Sequence, residues 1–254
     1  MKKIYIVPNL VTTGNMLCGF YSVIESIRGN FVLAAWIIIL GQIFDLLDGR
    51  IARFAKATSS FGVEYDSLSD VITFGMAPAF LIYLSSMKDF GRLGWIISFL
   101  FVACGAIRLA RFNVSADEEV PDNYFQGLPT PAGAACVATF TIFKNDIGIP
   151  TFDGLTYVMG AIAIVIPILM VSSIPFPSFK KLNWASRATY GYFVVAVVSL
   201  VTVILRPEVA LFGIVMLYIL SGLVWNVYRT LKGDRITFPQ STVFDSGEES
   251  ESKK

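Results

Sequence analysis

The chain contains no histidine in 254 residues. That removes the commonest general base and a common metal ligand, so any acid–base chemistry must fall to Asp, Glu, Lys, Tyr or Cys. Cysteine is almost as scarce. Cys18, Cys104 and Cys136 lie far apart, in or beside apolar segments. They read as small core residues in a reduced setting, with neither the spacing of a disulfide framework nor that of a zinc site. Charge is also sparse: 15% of residues are charged, against about 25% in an ordinary soluble domain. No basic block suggests a nucleic-acid partner, and the net charge of +1 says little about any other.

What fills the chain is hydrocarbon, at 55% of residues. It comes in long runs such as VLAAWIIILGQIF and YVMGAIAIVIPILMVSSI. An apolar run of about 20 residues crosses a bilayer as a helix. The class expected is therefore an all-α polytopic membrane protein, a bundle of about eight transmembrane helices. The spans fall near residues 9–27, 31–53, 66–87, 91–113, 129–147, 154–173, 188–206 and 208–231. The first has a basic start but no small-residue cleavage site after it, and reads as a retained span. Residues 1–232 form the transmembrane domain; residues 233–254 are polar and acidic and read as a disordered tail. With eight spans, Arg28, Lys88, Arg92, Lys144 and Arg206 fall on one side and the other fifteen of the 20 Lys and Arg on the opposite side. The positive-inside rule then makes the larger set cytoplasmic, with both termini, and places the chain in the cell membrane.

Into this apolar background is set DLLDGRIARFAKATSSFGVEYDSLSD, residues 45–70. Asp45 and Asp48 are three apart and Asp66 and Asp70 four apart, so each pair shares one helix face. The two helices run antiparallel across the loop at 54–65, which brings both pairs to the cytoplasmic surface at similar depth. Four carboxylates beside hydrocarbon cannot all stay ionised without compensation. Two divalent cations supply it, and hard oxygen ligands suit Mg²⁺ or Mn²⁺. Gly49, Ala52 and Gly62 remove side chains where a ligand would approach, and Arg53 can reach a phosphate oxygen. Asn9, Thr12 and Asn15 recur every third residue at the start of the first span, sharing a face beside the aspartates or capping the helix. A plainer account makes the aspartates interfacial charges paired with Arg50, Arg53 or Lys56. A different one makes them part of a cation pathway, but a transporter would need acids at mid-membrane on several spans.

The stretch resembles the signature of the CDP-alcohol phosphotransferase family at Asp45, Asp48, Gly49, Ala52, Arg53, Gly62, Asp66 and Asp70. The resemblance implies a membrane enzyme, built as a helical homodimer, in which an alcohol displaces CMP from a CDP-linked donor. It implies Asp45, Asp48 and Asp66 as metal ligands and Asp70 as the general base, also close to the second of two divalent cations. Gly49, Ala52 and Arg53 would lie along the nucleotide and its phosphates, and Asn9, Thr12 and Asn15 resemble part of the nucleotide pocket. Asn15 stands where the phosphatidylglycerophosphate synthase branch usually has arginine, which weighs against that branch.

PNLVTTGNMLCGF, YDSLSDVITFGMAPA, GAIRLARFN and FQGLPTPA are together similar to the phosphatidylserine synthase branch, over about the first 140 residues. This implies CDP-diacylglycerol and L-serine as substrates. Serine carries a carboxylate that needs a cation, and Arg108 and Arg111 share a helix face at i, i+3; Asn113 or Gln126 could take the ammonium group. The two arginines could equally anchor the end of their span. Glycerol 3-phosphate or inositol phosphate are the alternative acceptors. Gly127–Pro131 is expected to form a stiff turn, and Lys180 and Lys181 to meet lipid headgroups.

Overall fold

The computed structural model describes residues 6–54, 59–114, 124–146, 153–177 and 205–232. The architecture is all-α apart from one short ribbon. In chain order come α1 (Ile6–Ile27), α2 (Phe31–Phe54), α3 (Ser60–Phe90), α4 (Arg92–Val114), β1 (Tyr124–Gln126), α5 (Thr130–Asp146), α6 (Asp153–Val171), β2 (Pro175–Pro177) and α7 (Pro207–Leu231). Among the described residues, α2, α3, α4, the 154–171 part of α6, and α7 are long and apolar enough to cross a membrane. The expected span at 188–206 lies almost wholly outside the described residues, as do the tail and Lys180 and Lys181.

The surface is what a bilayer-embedded bundle requires. Leu10, Leu17, Phe20, Leu217, Val224 and Val227 are exposed, while Phe74, Phe101, Phe140 and Phe176 are fully buried. Lipid tails are as apolar as leucine, so helices in a membrane are held by close packing and polar contacts rather than by the hydrophobic effect. Both are present along α1, α2 and α3. A Cβ on Gly19 would lie 2.6 Å from the Thr73 Cα, and one on Gly41 would lie 2.6 Å from the Thr73 methyl. The two glycines therefore let α1 and α2 close on α3 from two sides. Ser69 and Thr73 then donate hydroxyl hydrogen bonds to the carbonyls of Thr12 (3.1 Å) and Asn15 (2.9 Å). Each such interhelical bond is worth about 0.6–2 kcal/mol in lipid.

The α1–α2 hairpin turns on one residue. Gly29 takes φ +83°; its N–H donates to the Ser26 carbonyl and the Asn30 N–H to the Glu25 carbonyl. This is a Schellman closure, which satisfies the last carbonyls of α1 and needs a left-handed residue at that place. The Asn30 carbonyl then accepts from Ala34 and starts α2.

Two features depart from the expectations. The segment 54–65 is not all loop: α3 starts at Ser60, where the Ser59 side chain caps the helix by accepting from the Gly62 N–H at 3.1 Å. Second, β1 and β2 pair antiparallel, with Phe125 opposite Phe176. Strands of three residues, one of them beginning and ending in proline, carry no alternating pattern by which to be foreseen. Helix α3 is itself irregular. It widens to π geometry at Val71–Met76 and again at Tyr83–Met87. The first widening sits between Asp70 and Pro78, and Pro78 can neither donate a backbone bond nor tolerate a normal preceding turn.

Candidate active site

The end of the bundle formed by the C-terminal half of α2 and the start of α3 brings the four aspartates together. Helix α2 presents Asp45 and Asp48; α3 presents Asp66 and Asp70. Carboxylate oxygens of Asp45, Asp48 and Asp66 all lie within 4.8 Å of one another. Asp48 and Asp70 are buried and Asp45 and Asp66 half-buried. All four are within electrostatic reach of each other. Among the described residues no Lys or Arg makes an ion pair with any of them, which removes the plainer account in which Arg50 or Arg53 neutralises them. Lys56 lies outside the described residues.

Two carboxylate oxygens, Asp48 Oδ2 and Asp66 Oδ1, are buried without a hydrogen-bond partner among the described residues. Leaving a buried acceptor unmade costs about 1–3 kcal/mol, more for a charged group. A fold does not normally retain that cost twice in one place. The donor set (hard carboxylate oxygens, negative, converging, unsatisfied) fits a divalent cation, and Asp45, Asp48 and Asp66 are the residues able to hold it.

Helix α1 lines the other side. Asn9 approaches Gly62, whose added Cβ would lie 3.7 Å from Asn9 Oδ1. Thr12 is buried against Asp48. Asn15 is fully buried and donates from Nδ2 to Asp70 Oδ1 at 3.0 Å, which fixes that carboxylate and leaves its second oxygen for another partner. The three-residue spacing on α1 thus runs parallel to the carboxylates. Gly49 has nothing within 4 Å of where a Cβ would be, so the backbone is open there. Ala52 is half-buried, one turn past Asp48. Arg53 is exposed, and its Nε donates to the Gly49 carbonyl at 2.9 Å. That bond lays the guanidinium along α2 beside the open glycine.

Helix α4 arrives with its C-terminal end at the same place. Asn113 Nδ2 donates to Ser67 Oγ at 2.9 Å and to Glu64 at 3.4 Å, tying α4 to α3. The two arginines on α4 have different surroundings. Arg111 donates to the carbonyls of Val171 (2.9 Å) and Ser172 (3.4 Å), capping the C-terminus of α6, where a cation is favoured by the helix dipole. Arg108 is 7% exposed, donates from Nη1 to Thr130 Oγ1 at 2.8 Å, and stands within electrostatic reach of Asp70 and Tyr218. Gln126 faces Ser173 at 3.5 Å, at the edge of the ribbon. The expected stiff turn is present: Gly127 takes φ +73° and donates to the Ile174 carbonyl, and Leu128 donates to that of Leu169.

Sequence reasoning missed Ser69, Thr73 and Gln42. The first two are described above; Gln42, one turn before Asp45, donates from Nε2 to the Pro131 carbonyl at 2.8 Å. It fastens the helix of Asp45 and Asp48 to the start of α5. A polar residue one turn from an aspartate inside an apolar run was the available signal.

Residues 5–171 match the family model described as CDP-alcohol phosphatidyltransferase, and the chain belongs to that family. The chain is 36% identical over 232 residues to a CDP-diacylglycerol–serine O-phosphatidyltransferase of Helicobacter pylori (strain J99), covering 91% of this chain and 95% of that protein. A Bacillus subtilis protein of the same description is 33% identical over 176 residues, which cover 69% of this chain and 92% of the relative. An archaetidylserine synthase of Methanothermobacter thermautotrophicus is 37% identical over 174 residues, 67% of this chain and 69% of the relative.

Proposed function

We propose that this protein transfers the phosphatidyl group of CDP-diacylglycerol to the hydroxyl of L-serine, forming phosphatidylserine and CMP in phospholipid biosynthesis. The observation that carries the reading is the convergence of four carboxylates from α2 and α3, two of their oxygens buried and unpartnered. The names of the relatives, each a serine-accepting synthase, support the acceptor.

The roles divide along the elements. Asp45, Asp48 and Asp66, with Asp70 beside them, would hold two divalent cations, Mg²⁺ or Mn²⁺. When bound, the cations shield the diphosphate from the incoming nucleophile and stabilise the leaving CMP. Asn9, Thr12, Asn15, Gly49, Ala52, Arg53 and Gly62 bind the cytidine and its phosphates: the glycines admit the chain of phosphates close to backbone, and Arg53 offers a planar donor fork. Asp70, with one oxygen fixed by Asn15, accepts the serine proton at the other. The serine oxygen forms its bond to the phosphatidyl phosphorus as the bond from phosphorus to the CMP oxygen breaks, and that electron pair leaves on CMP. Of the four candidates on the acceptor side, Arg108 stands within electrostatic reach of Asp70, while Arg111, Asn113 and Gln126 are hydrogen-bonded to neighbouring elements.

The same reading has eight spans, both termini and the active site on the cytoplasmic side of the cell membrane, and a homodimer formed through membrane helices. The lysine and arginine asymmetry supports the orientation. Residues 1–232 are then the working domain and residues 233–254 a polar tail.

The test is direct. Purified protein in detergent, with Mn²⁺ or Mg²⁺ and CDP-diacylglycerol, is expected to release CMP when serine is added. Release with glycerol 3-phosphate or inositol phosphate but none with serine would overturn the acceptor. No release with any alcohol would overturn the transferase reading.

A further inference from the structure

A guanidinium needs a reason to be buried. Arg108 is 93% removed from solvent, yet among the described residues it makes no ion pair, and its Nε is buried without a hydrogen-bond partner. Its neighbour Arg111 is accounted for, as the cap of α6. Desolvating a cation costs several kcal/mol unless an anion compensates. Asp70, within electrostatic reach, is also the group placed to take the acceptor's proton. In an α-amino-β-hydroxy acid the hydroxyl and the carboxylate are two carbons apart. One short molecule can therefore set its hydroxyl at Asp70 and its carboxylate toward Arg108.

The aim of Arg108 is set from outside its own helix. Thr130, fully buried at the first residue of α5, accepts from Nη1 at 2.8 Å. The threonine methyl packs where α4 has Gly105, one turn before Arg108; a Cβ there would lie 3.6 Å from it. Pro131 follows, its carbonyl held by Gln42 of the aspartate helix. Thr130 is thus fixed from both sides. A long, flexible side chain is left with little freedom.

The geometry points to Thr130 as the positioning residue that aims Arg108 at the acceptor's carboxylate, with Arg108, and not Arg111, making that contact. This rests on the serine-transferase reading above and deepens it.

The experiment compares Thr130→Val, which keeps the shape and loses the acceptor oxygen, with Thr130→Ser, which keeps the oxygen. CMP release is measured against serine and against CDP-diacylglycerol, and with serinol, which has the hydroxyl and ammonium but no carboxylate. Thr130→Val is expected to raise the KM for serine about tenfold, one lost charge-assisted hydrogen bond. The KM for CDP-diacylglycerol should stay within about twofold, and the slow serinol reaction should be unchanged, because neither uses the contact. Thr130→Ser should return the serine KM to within about threefold of the parent. Arg111→Gln should lower the thermal midpoint without separating the two KM values. An unchanged serine KM in Thr130→Val, or both KM values rising together, would overturn the proposal; so would a Ser variant as impaired as the Val variant. If Thr130→Val does not fold, Thr130→Ser against Arg108→Lys decides: a Lys variant with the parent's serine KM removes Arg108 from the acceptor site. Failure of the wild-type protein to release CMP with serine is a separate outcome, and it overturns the serine reading instead.

Discussion

The two ends of the α1–α2 hairpin each bury a carboxylate, and they treat it in opposite ways. At the hairpin turn, Glu25 is 2% exposed, with one oxygen taken by Arg28 Nη1 at 2.8 Å and the other by Asn30 Nδ2 at 2.7 Å. Asp146, exposed at the C-terminal end of α5, is paired with Arg206 at 3.6 Å. At the opposite end of α2, Asp48 is about as buried as Glu25, yet one of its oxygens has no partner among the described residues. Asp66 repeats the pattern. The same chain satisfies a buried acid where the acid serves the fold and leaves it unsatisfied where a cation would serve. Burial alone therefore does not identify the site; buried carboxylate oxygens without a partner do.

The comparison breaks most visibly under substitution of the unsatisfied set. Asp45→Asn, Asp48→Asn and Asp66→Asn are each expected to reduce CMP release by about 10³-fold, the scale of losing transition-state charge stabilisation. In chelator-treated protein the same changes should leave the thermal midpoint unchanged or raise it, since each removes an uncompensated charge. Added Mn²⁺ should raise the midpoint of the parent and not of these variants, by the linkage between binding and stability. A variant that loses activity but keeps the Mn²⁺ shift would remove its aspartate from the metal set.

Asp70→Asn should sort differently. Asn15 can still bond the side-chain oxygen, so the variant is expected to keep the Mn²⁺ shift and the binding of CDP-diacylglycerol, while turnover falls about 10²–10⁴-fold for want of a proton acceptor. Near-normal turnover would end the assignment of Asp70 as base.

The metal end was legible in the chain because its information is local. Asp45, Asp48, Asp66 and Asp70 fall on shared faces by spacing alone, and they lie near the facing ends of two consecutive spans. Asn9, Thr12 and Asn15 follow the same logic. What could not be read was whatever depends on helices meeting at a distance. Gly19, Gly41 and Thr73 look like ordinary small residues of membrane helices until the structure shows all three at one crossing. Arg111 shares its face with Arg108, but its partners are carbonyls sixty residues away, at a helix end. The sequence spacing could pair the two arginines; only the fold separates them.

That crossing gives an intermediate effect. A methyl group added at Gly41 would fall 2.6 Å from the Thr73 methyl and 3.2 Å from Asn15 Oδ1. Gly41→Ala should therefore displace α2 from α3, costing about 1–3 kcal/mol of stability and spreading the aspartates. Gly213→Ala on α7 is the control: nothing lies within 4 Å of the added methyl, so a helix interior gains about 0.5–1 kcal/mol. Equal effects at the two glycines, by thermal denaturation in detergent, would show that the crossing is loose.

The smallest effect belongs to the satisfied acid, and it tests the comparison from the other side. Glu25→Gln keeps the shape and can still accept from Asn30, but it removes the charge that holds Arg28 and leaves an amide N–H₂ in a place built for an acceptor. The thermal midpoint should fall by a few degrees. The Mn²⁺ shift and the KM values for serine and donor should remain those of the parent, because Glu25 lies at the far end of α1 and α2 from the aspartates. Loss of the Mn²⁺ response in Glu25→Gln would mean that the hairpin turn and the metal end are coupled through the two helices. A satisfied carboxylate at one end would then govern the unsatisfied ones at the other, and the division between fold and chemistry drawn along α2 would not hold.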